Sequence, residues 1–212
     1  MFVFLKKVIG RFLSRLIRWL KVLRFARGLT LKSVINLYFS SLVDPLLYAF
    51  SSTRLNPRLI FKGLYLYKIQ RIGIIVVVRG GADDLFTMDP GREKDVEAFI
   101  RSCLKCGSIF VDVGANAGYY TLLASKLVGP KGRVYSIELI PSTTAILKAN
   151  VKLNNVTNVR IYCAAAWSSK GTLELKIPAW SFALASVFGY GTSINVNTIT
   201  LDQLLENETI ID

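Results

Sequence analysis

The chain has 212 residues, 52% of them hydrophobic, and a formal net charge of +13, a length that suits one ordinary domain with an appendage. It contains no histidine, which excludes histidine-based catalysis and histidine metal ligation. Its three cysteines (Cys103, Cys106, Cys163) are too few for a disulfide framework, so a reducing compartment is expected.

The charge is uneven. Residues 1–79 hold fifteen Lys/Arg against one acid, Asp44, whereas residues 80–212 hold twelve against thirteen. Any partner chosen by positive charge therefore belongs to the first third. Within FVFLKKVIGRFLSRLIRWLKVLRFARG, steps of three or four place Lys7, Arg11, Arg15, Arg18, Lys21, Arg24 and Arg27 on one helical face. Phe4, Leu5, Val8, Phe12, Leu16, Trp19, Leu20 and Leu23 cover much of the remainder. This pattern predicts a basic amphipathic helix suited to the plane of an anionic membrane surface, with residues 1–32 as the contact region. The charges interrupt every apolar core that a signal peptide would need. The apolar window SVINLYFSSLVDPLLYAFSST is broken by Asp44-Pro45 and several serines, which fit a helical hairpin or an interfacial segment better than a clean span. Packing of both segments on the protein's own domain is the plainer alternative. Nucleic acid is not expected as a partner, because polar base-reading side chains are not interleaved with the charges. The expected location is cytoplasmic, peripheral on the inner face of the cell membrane.

Residues 1–55 thus form a basic, apolar helical region, and residues 56–91 a small β unit. LYLYKI and IGIIVVVR read as strands with a turn near Gln70-Arg71, and DLFTM as a third. Residues 92–212 then alternate helix and strand. GREKDVEAFIRSCLK has helical periodicity, with Glu93 and Glu97 four apart. SIFVDVG is a buried strand, YYTLLASKLVG a helix ended by Gly129-Pro130, and GRVYSIEL a second strand. PSTTAILKANVKLNN is a helix opened by Pro141 and ended by Asn154-Asn155, followed by the strands NVRIYCAA and TLELKIP. The alternation predicts an α/β fold with a partial doubly wound, Rossmann-like parallel sheet. Cys103-Leu-Lys-Cys106 has redox-like spacing, but one pair is too few for tetrahedral zinc, and no metal site is expected.

Between the first strand and its helix lies Gly114-Ala-Asn-Ala-Gly118. A strand that turns at once into a helix presents unpaired backbone N–H groups, and small residues let a ligand approach them. Glu138 ends the next strand, where an acid accepts hydrogen bonds from ribose hydroxyls. The dinucleotide fingerprint is not met, since Asn116 and Tyr119 stand where glycines are wanted, and no phosphate-loop lysine follows. Asp112 would repel a pyrophosphate and favour a cationic ligand such as the ammonium and sulfonium of S-adenosylmethionine. These residues indicate a nucleoside-containing cofactor at the carboxyl ends of the strands.

The run FVDVGANAGYYTLLASKLVGPKGRVYSIEL resembles the FkbM family of S-adenosylmethionine-dependent methyltransferases, and the likeness extends through NVRIYCAAAWSSKGTLEL to TITLDQLL, over roughly residues 90 to 212. The resemblance implies a class I Rossmann-like fold. It implies Asp112, Gly114, Asn116 and Gly118 at the methionine end of S-adenosylmethionine, Glu138 at the ribose, and Cys163 and Ala164 near the adenine. It implies O-methyl transfer to a hydroxyl of a sugar, glycan or other small natural product. The family pattern continues past TIID into a further strand, so the sequence also reads as a truncated or split enzyme completed by a C-terminal chain. The alternatives are a non-catalytic membrane-associated remnant, or a binder of another nucleoside ligand such as a nucleotide sugar. The catalytic base is unassigned. With histidine absent it would be a carboxylate, a lysine or a tyrosine, and Tyr119 and Tyr120 stand near the expected methyl group, with packing as their plainer role.

Overall fold

The computed structural model describes residues 2–51, 56–82, 84–89, 92–177 and 190–211. Its contacts divide the chain into two compact units, Met1–Lys94 and Asp95–Asp212.

The first unit opens with helix α1 (Phe2–Phe25), a short strand β1 (Ala26–Gly28) and helix α2 (Leu31–Phe50). Thr30 caps α2, its hydroxyl accepting from the Ser33 amide at 3.1 Å. Pro45 lies inside α2. The window that Asp44-Pro45 was expected to break is thus one continuous helix, and α1 and α2 pack together as a hairpin clasped at Asp44. There Trp19 Nε1 donates to Oδ2 at 2.7 Å, and Arg15 Nε lies 2.8 Å from the same oxygen. Arg15 is therefore buried and does not share the exposed basic face that its spacing predicts.

Strands β2 (Gly63–Ile69) and β3 (Ile74–Gly80) pair antiparallel across the expected turn, and β1 adds to the free edge of β2. Period-2 alternation buries Ile74, Val76 and Val78 from one face of β3. DLFTM is helical, not a strand: α3 spans Asp84–Thr87. Leu85 and Met88, three apart, are both buried, which a helix allows and a strand would set on opposite faces. Asp84 fixes its start, accepting from the Arg79 amide at 2.9 Å and pairing with the Arg79 guanidinium through both oxygens.

The second unit begins with α4 (Lys94–Cys103) and carries a parallel sheet of β4 (Ile109–Val113), β5 (Arg133–Glu138) and β6 (Val159–Cys163), in that order. Helices α5 (Tyr119–Val128) and α6 (Pro141–Leu153) make the crossovers, the α/β arrangement expected. The expected helix ends are also present, with Gly129 capping α5, Pro141 opening α6 and Asn154 capping it. Ile100, Leu104, Ala124, Val128 and Val134 form the core between α4, α5 and the sheet. On the opposite face Ile109 and Tyr135 pack against Leu205, which follows the short helix α7 (Leu201–Leu204).

A second sheet of this unit, with the expected strand TLELKI in β8, joins β7 (Ala165–Ala166), β8 (Gly171–Ile177) and β9 (Thr192–Ile199) in the order β7-β9-β8, with β8 and β9 antiparallel. Whatever connects β8 to β9 at residues 178–189 lies outside the described residues. Residues 209–211 form no strand.

Candidate functional site

The parallel register brings the sequence-predicted residues to one edge. Asp112 pairs with Ser136, Val113 with Ile137, and Glu138 with Cys163, so β4, β5 and β6 end side by side. Glu138 is buried, Ala164 is buried beside it in sequence, and Cys163 is exposed.

The turn leaving β4 stays tied to β5, with the Gly114 and Ala115 amides both donating to Ile137 O at 2.9 and 3.0 Å. Gly114 (φ +80°), Asn116 (φ +50°) and Gly118 (φ +97°) all adopt left-handed backbone, which glycine accepts freely and asparagine better than most residues. The two glycines differ in what surrounds them. A Cβ on Gly114 would meet no atom within 4 Å, so the space above it is open. A Cβ on Gly118 would lie 2.5 Å from Leu147 Cδ1, so here the close approach is made by the protein's own α6. Asn150 of α6 adds a second tie, donating from Nδ2 to Ala117 O at 2.8 Å. The small residues at the C-terminal half of the turn thus serve packing, and those at its N-terminal half leave room.

Both carboxylate oxygens of Glu138 are engaged by backbone amides. Oε2 accepts from Asn116 N at 2.9 Å and Oε1 from Ile140 N at 2.8 Å. Glu138 therefore holds the turn in place. Each of its oxygens accepts one of these bonds and retains a second lone pair.

Asp112 is buried within the β4–α5–β5 sandwich. Its Oδ2 accepts from Thr121 Oγ1 at 2.6 Å, and Thr121 Oγ1 lies 2.9 Å from Ser136 Oγ. Burial pushes the Asp112 carboxyl up to about 6; the Thr121 hydrogen bonds oppose the rise and the Glu138 charge adds to it. Thr121 and Ser136 were missed at the level of sequence. A hydroxyl on the first turn of the helix and another on the adjacent strand are the only signal that the acid is held from within.

The tyrosines take structural places. Tyr119 is buried and its hydroxyl donates to Glu97 Oε2 at 2.8 Å, while Glu97 Oε1 accepts from Arg101 Nε and Nη2 of the same helix. Tyr120 packs against the α4–α5 core. Just past Ala164, an open hollow of about 460 Å³ is lined by Ala166, Trp167, Ser168 and Leu201. Trp167 is half exposed there, with its amide donating to Ile199 O at 3.0 Å. Nothing in the spacing marked this tryptophan.

Residues 112–212 match the family model for the methyltransferase FkbM domain, in agreement with the resemblance carried by the turn. Over 70 residues the chain is 35% identical to a probable cobalt-precorrin-6B C(15)-methyltransferase (decarboxylating) of Sulfolobus acidocaldarius, covering 33% of this chain and 36% of that protein. It is 36% identical over 56 residues to a protein-L-isoaspartate O-methyltransferase of Methanothrix thermoacetophila, covering 26% of this chain and 27% of the relative. These matches span about a third or less of either relative's length. Among solved structures, a SAM-dependent methyltransferase from Aquifex aeolicus is 28% identical, covering 44% of this chain and 47% of its own, with a TM-score of 0.33.

Proposed function

We propose that the second unit binds S-adenosylmethionine at the ends of β4, β5 and β6 and serves methyl transfer to a hydroxyl of a sugar, glycan or other small natural product. The observation that carries this reading is the pairing of an open Gly114 with a carboxylate at the end of the neighbouring strand that is already held by two amides. The match of residues 112–212 to a methyltransferase domain supports it.

When bound, the cofactor supplies an electrophilic methyl carbon on a sulfonium. The chain's part is to bind, orient and exclude water. In this reading the backbone of Gly114 to Asn116 receives the methionine end, with Gly118 setting the entry to α5. Glu138 uses its remaining lone pairs for the ribose hydroxyls, because the two amides fix its rotamer before the ligand arrives. Cys163 and Ala164, beside Glu138 at the end of β6, border the adenine. Asp112 supplies negative potential from beneath the turn, without direct contact, since its carboxylate is turned to Thr121. Tyr119 is not the general base of this reading, because its hydroxyl proton is committed to Glu97.

The test is calorimetric titration of the purified chain with S-adenosylmethionine, S-adenosylhomocysteine and a uridine diphosphate sugar. The reading requires binding of the two adenosyl ligands, loss of that binding in Gly114→Val, and no competition by the nucleotide sugar. Binding of the sugar nucleotide alone, or adenosyl binding indifferent to Gly114→Val, overturns it.

A further inference from the structure

Helix α2 has its polarity turned inside out. Its inward face holds Ser33, Asn36, Ser40, Ser41 and Asp44, all buried, beside Leu37 and Ala49. Its outward face is Leu31, Ile35, Tyr38, Leu42, Leu46 and Phe50, all exposed, Leu31 and Phe50 by 76% and 74%. The inward polar groups are needed where they are. Ser33 Oγ accepts from the Leu66 amide at 3.0 Å, Asn36 Oδ1 from the Phe61 amide at 3.2 Å, and Ser40 Oγ from the Ile60 amide at 2.8 Å. They satisfy backbone amides of β2 and of the segment entering it, and so occupy much of the inward face that apolar side chains would otherwise fill.

Helix α1 buries Trp19, Val22 and Phe25 on its inward side yet also carries apolar residues outward. Leu5, Ile9, Leu13, Ile17 and Leu20 are exposed at steps of three and four, forming one stripe, while Arg15 is buried against Asp44. The hairpin therefore carries an outward apolar stripe on each helix. Such contiguous apolar surface on a folded protein marks a contact with another apolar phase.

The charges name that phase. Lys7, Arg18 and Lys21 are exposed and share one side of α1 beside its stripe. Residues 1–43 hold nine Lys/Arg and no Asp or Glu, and Asp44 is paired with Arg15. A second copy of the hairpin would bring like charges together, whereas an anionic lipid surface offers both the apolar layer and the opposite charge. Leu31–Phe50 is long and apolar enough to cross a membrane by length and composition. Its inward face, however, is bonded to the sheet, which keeps it on the protein. We infer that the α1–α2 hairpin docks flat on an anionic phospholipid surface, with the outward stripes of both helices in the acyl boundary and the basic side of α1 among the headgroups. This surface is larger than the amphipathic α1 that the sequence predicts.

The test is flotation of the full chain with vesicles of phosphatidylcholine alone or mixed with phosphatidylglycerol. The chain floats with the mixed vesicles, and raising the salt or making Lys7→Glu with Lys21→Glu weakens that binding by about fivefold per charge. Leu42→Asp with Leu46→Asp lowers partitioning at least about tenfold, while circular dichroism and the melting curve stay those of the parent. Ile9→Asp with Leu13→Asp gives the same loss from the other helix and stands in if the first pair disturbs folding. A chain that stays in solution beside the mixed vesicles overturns the inference. So does a dimer in velocity sedimentation that Leu42→Asp with Leu46→Asp dissolves.

Discussion

Glu138 Oε2 accepts the Asn116 amide at 2.9 Å while its Oε1 accepts the Ile140 amide at 2.8 Å. One buried side chain thus ties the turn after β4 to the start of α6. Glu138→Ala removes both acceptors at once. Hydrogen bonds to a charged group are each worth about 1.5–3 kcal/mol, so a loss of about 3 kcal/mol is expected by urea unfolding, with adenosyl binding abolished. Glu138→Gln keeps one carbonyl oxygen for one amide and is expected to cost about half as much. Calorimetry on Glu138→Gln separates the two duties, because a ribose contact predicts weaker binding even where the fold is nearly restored.

Asp112 carries a buried charge whose folded pKa is raised from 3.8 to about 6. A carboxyl with a raised folded pKa holds its proton longer in the native state than in the unfolded one. Its contribution to stability is therefore lost as pH rises through that window, and is flat above about 6. Asp112→Asn removes the charge and keeps an acceptor for Thr121. Relative to the parent it is expected to gain stability progressively between about pH 4 and pH 6 and to remain up to about 3 kcal/mol more stable at pH 7. Urea melts across that range check the sign. If Asp112 attracts the sulfonium from beneath the turn, the same variant binds S-adenosylmethionine more weakly and S-adenosylhomocysteine, which lacks the sulfonium charge, almost unchanged.

Gly118 and Gly114 look equivalent in the sequence and are expected to fail differently. Gly118→Ala places a methyl 2.5 Å from Leu147 Cδ1 at φ +97°. Backbone strain of about 1–2 kcal/mol and overpacking of about 1–3 kcal/mol add there. In Gly118→Ala with Leu147→Ala, Leu147→Ala is expected to cost less than it does alone, since the clash is relieved and the cavity partly filled. Gly114→Ala bears only the backbone part, because its methyl meets nothing, and its larger effect is on ligand binding. Thermal denaturation beside calorimetry distinguishes the two patterns.

Asp44→Ala leaves Arg15 buried without its counter-charge and the Trp19 indole N–H without its acceptor. Removing one partner of a buried ion pair costs about 3–5 kcal/mol, so the variant is expected to lose the hairpin's fixed packing. A blue-to-red shift of tryptophan fluorescence would report it. Asp44→Asn keeps an acceptor for Trp19 and is expected to lose clearly less.

Tyr119→Phe is expected to cost about 1–2 kcal/mol, since it removes the donor that Glu97 Oε2 accepts. Under the proposed function, conversion of S-adenosylmethionine to S-adenosylhomocysteine is expected to persist, which separates a packing tyrosine from a general base.

The sequence by itself determined the features that local chemistry controls. The alternation of helix and strand after residue 94, the ends of α5 and α6 at Gly129, Pro141 and Asn154, the β2–β3 hairpin, the helical character of α1 and the position of the small-residue turn all follow from neighbours a few positions apart. Tertiary structure decided what depends on partners far along the chain. The polar inward face of α2 answers backbone amides about 20 to 33 residues away, and that inverts a helix whose composition alone reads as membrane-like. Asp84 turned DLFTM into a helix by binding Arg79, and β1 exists only because β2 offers it an edge. The turn after β4 could be located from its residues. Which of its glycines faces open space and which faces Leu147 was fixed only when α6 packed against it, because a Cβ clash is a property of the neighbouring surface and not of the glycine.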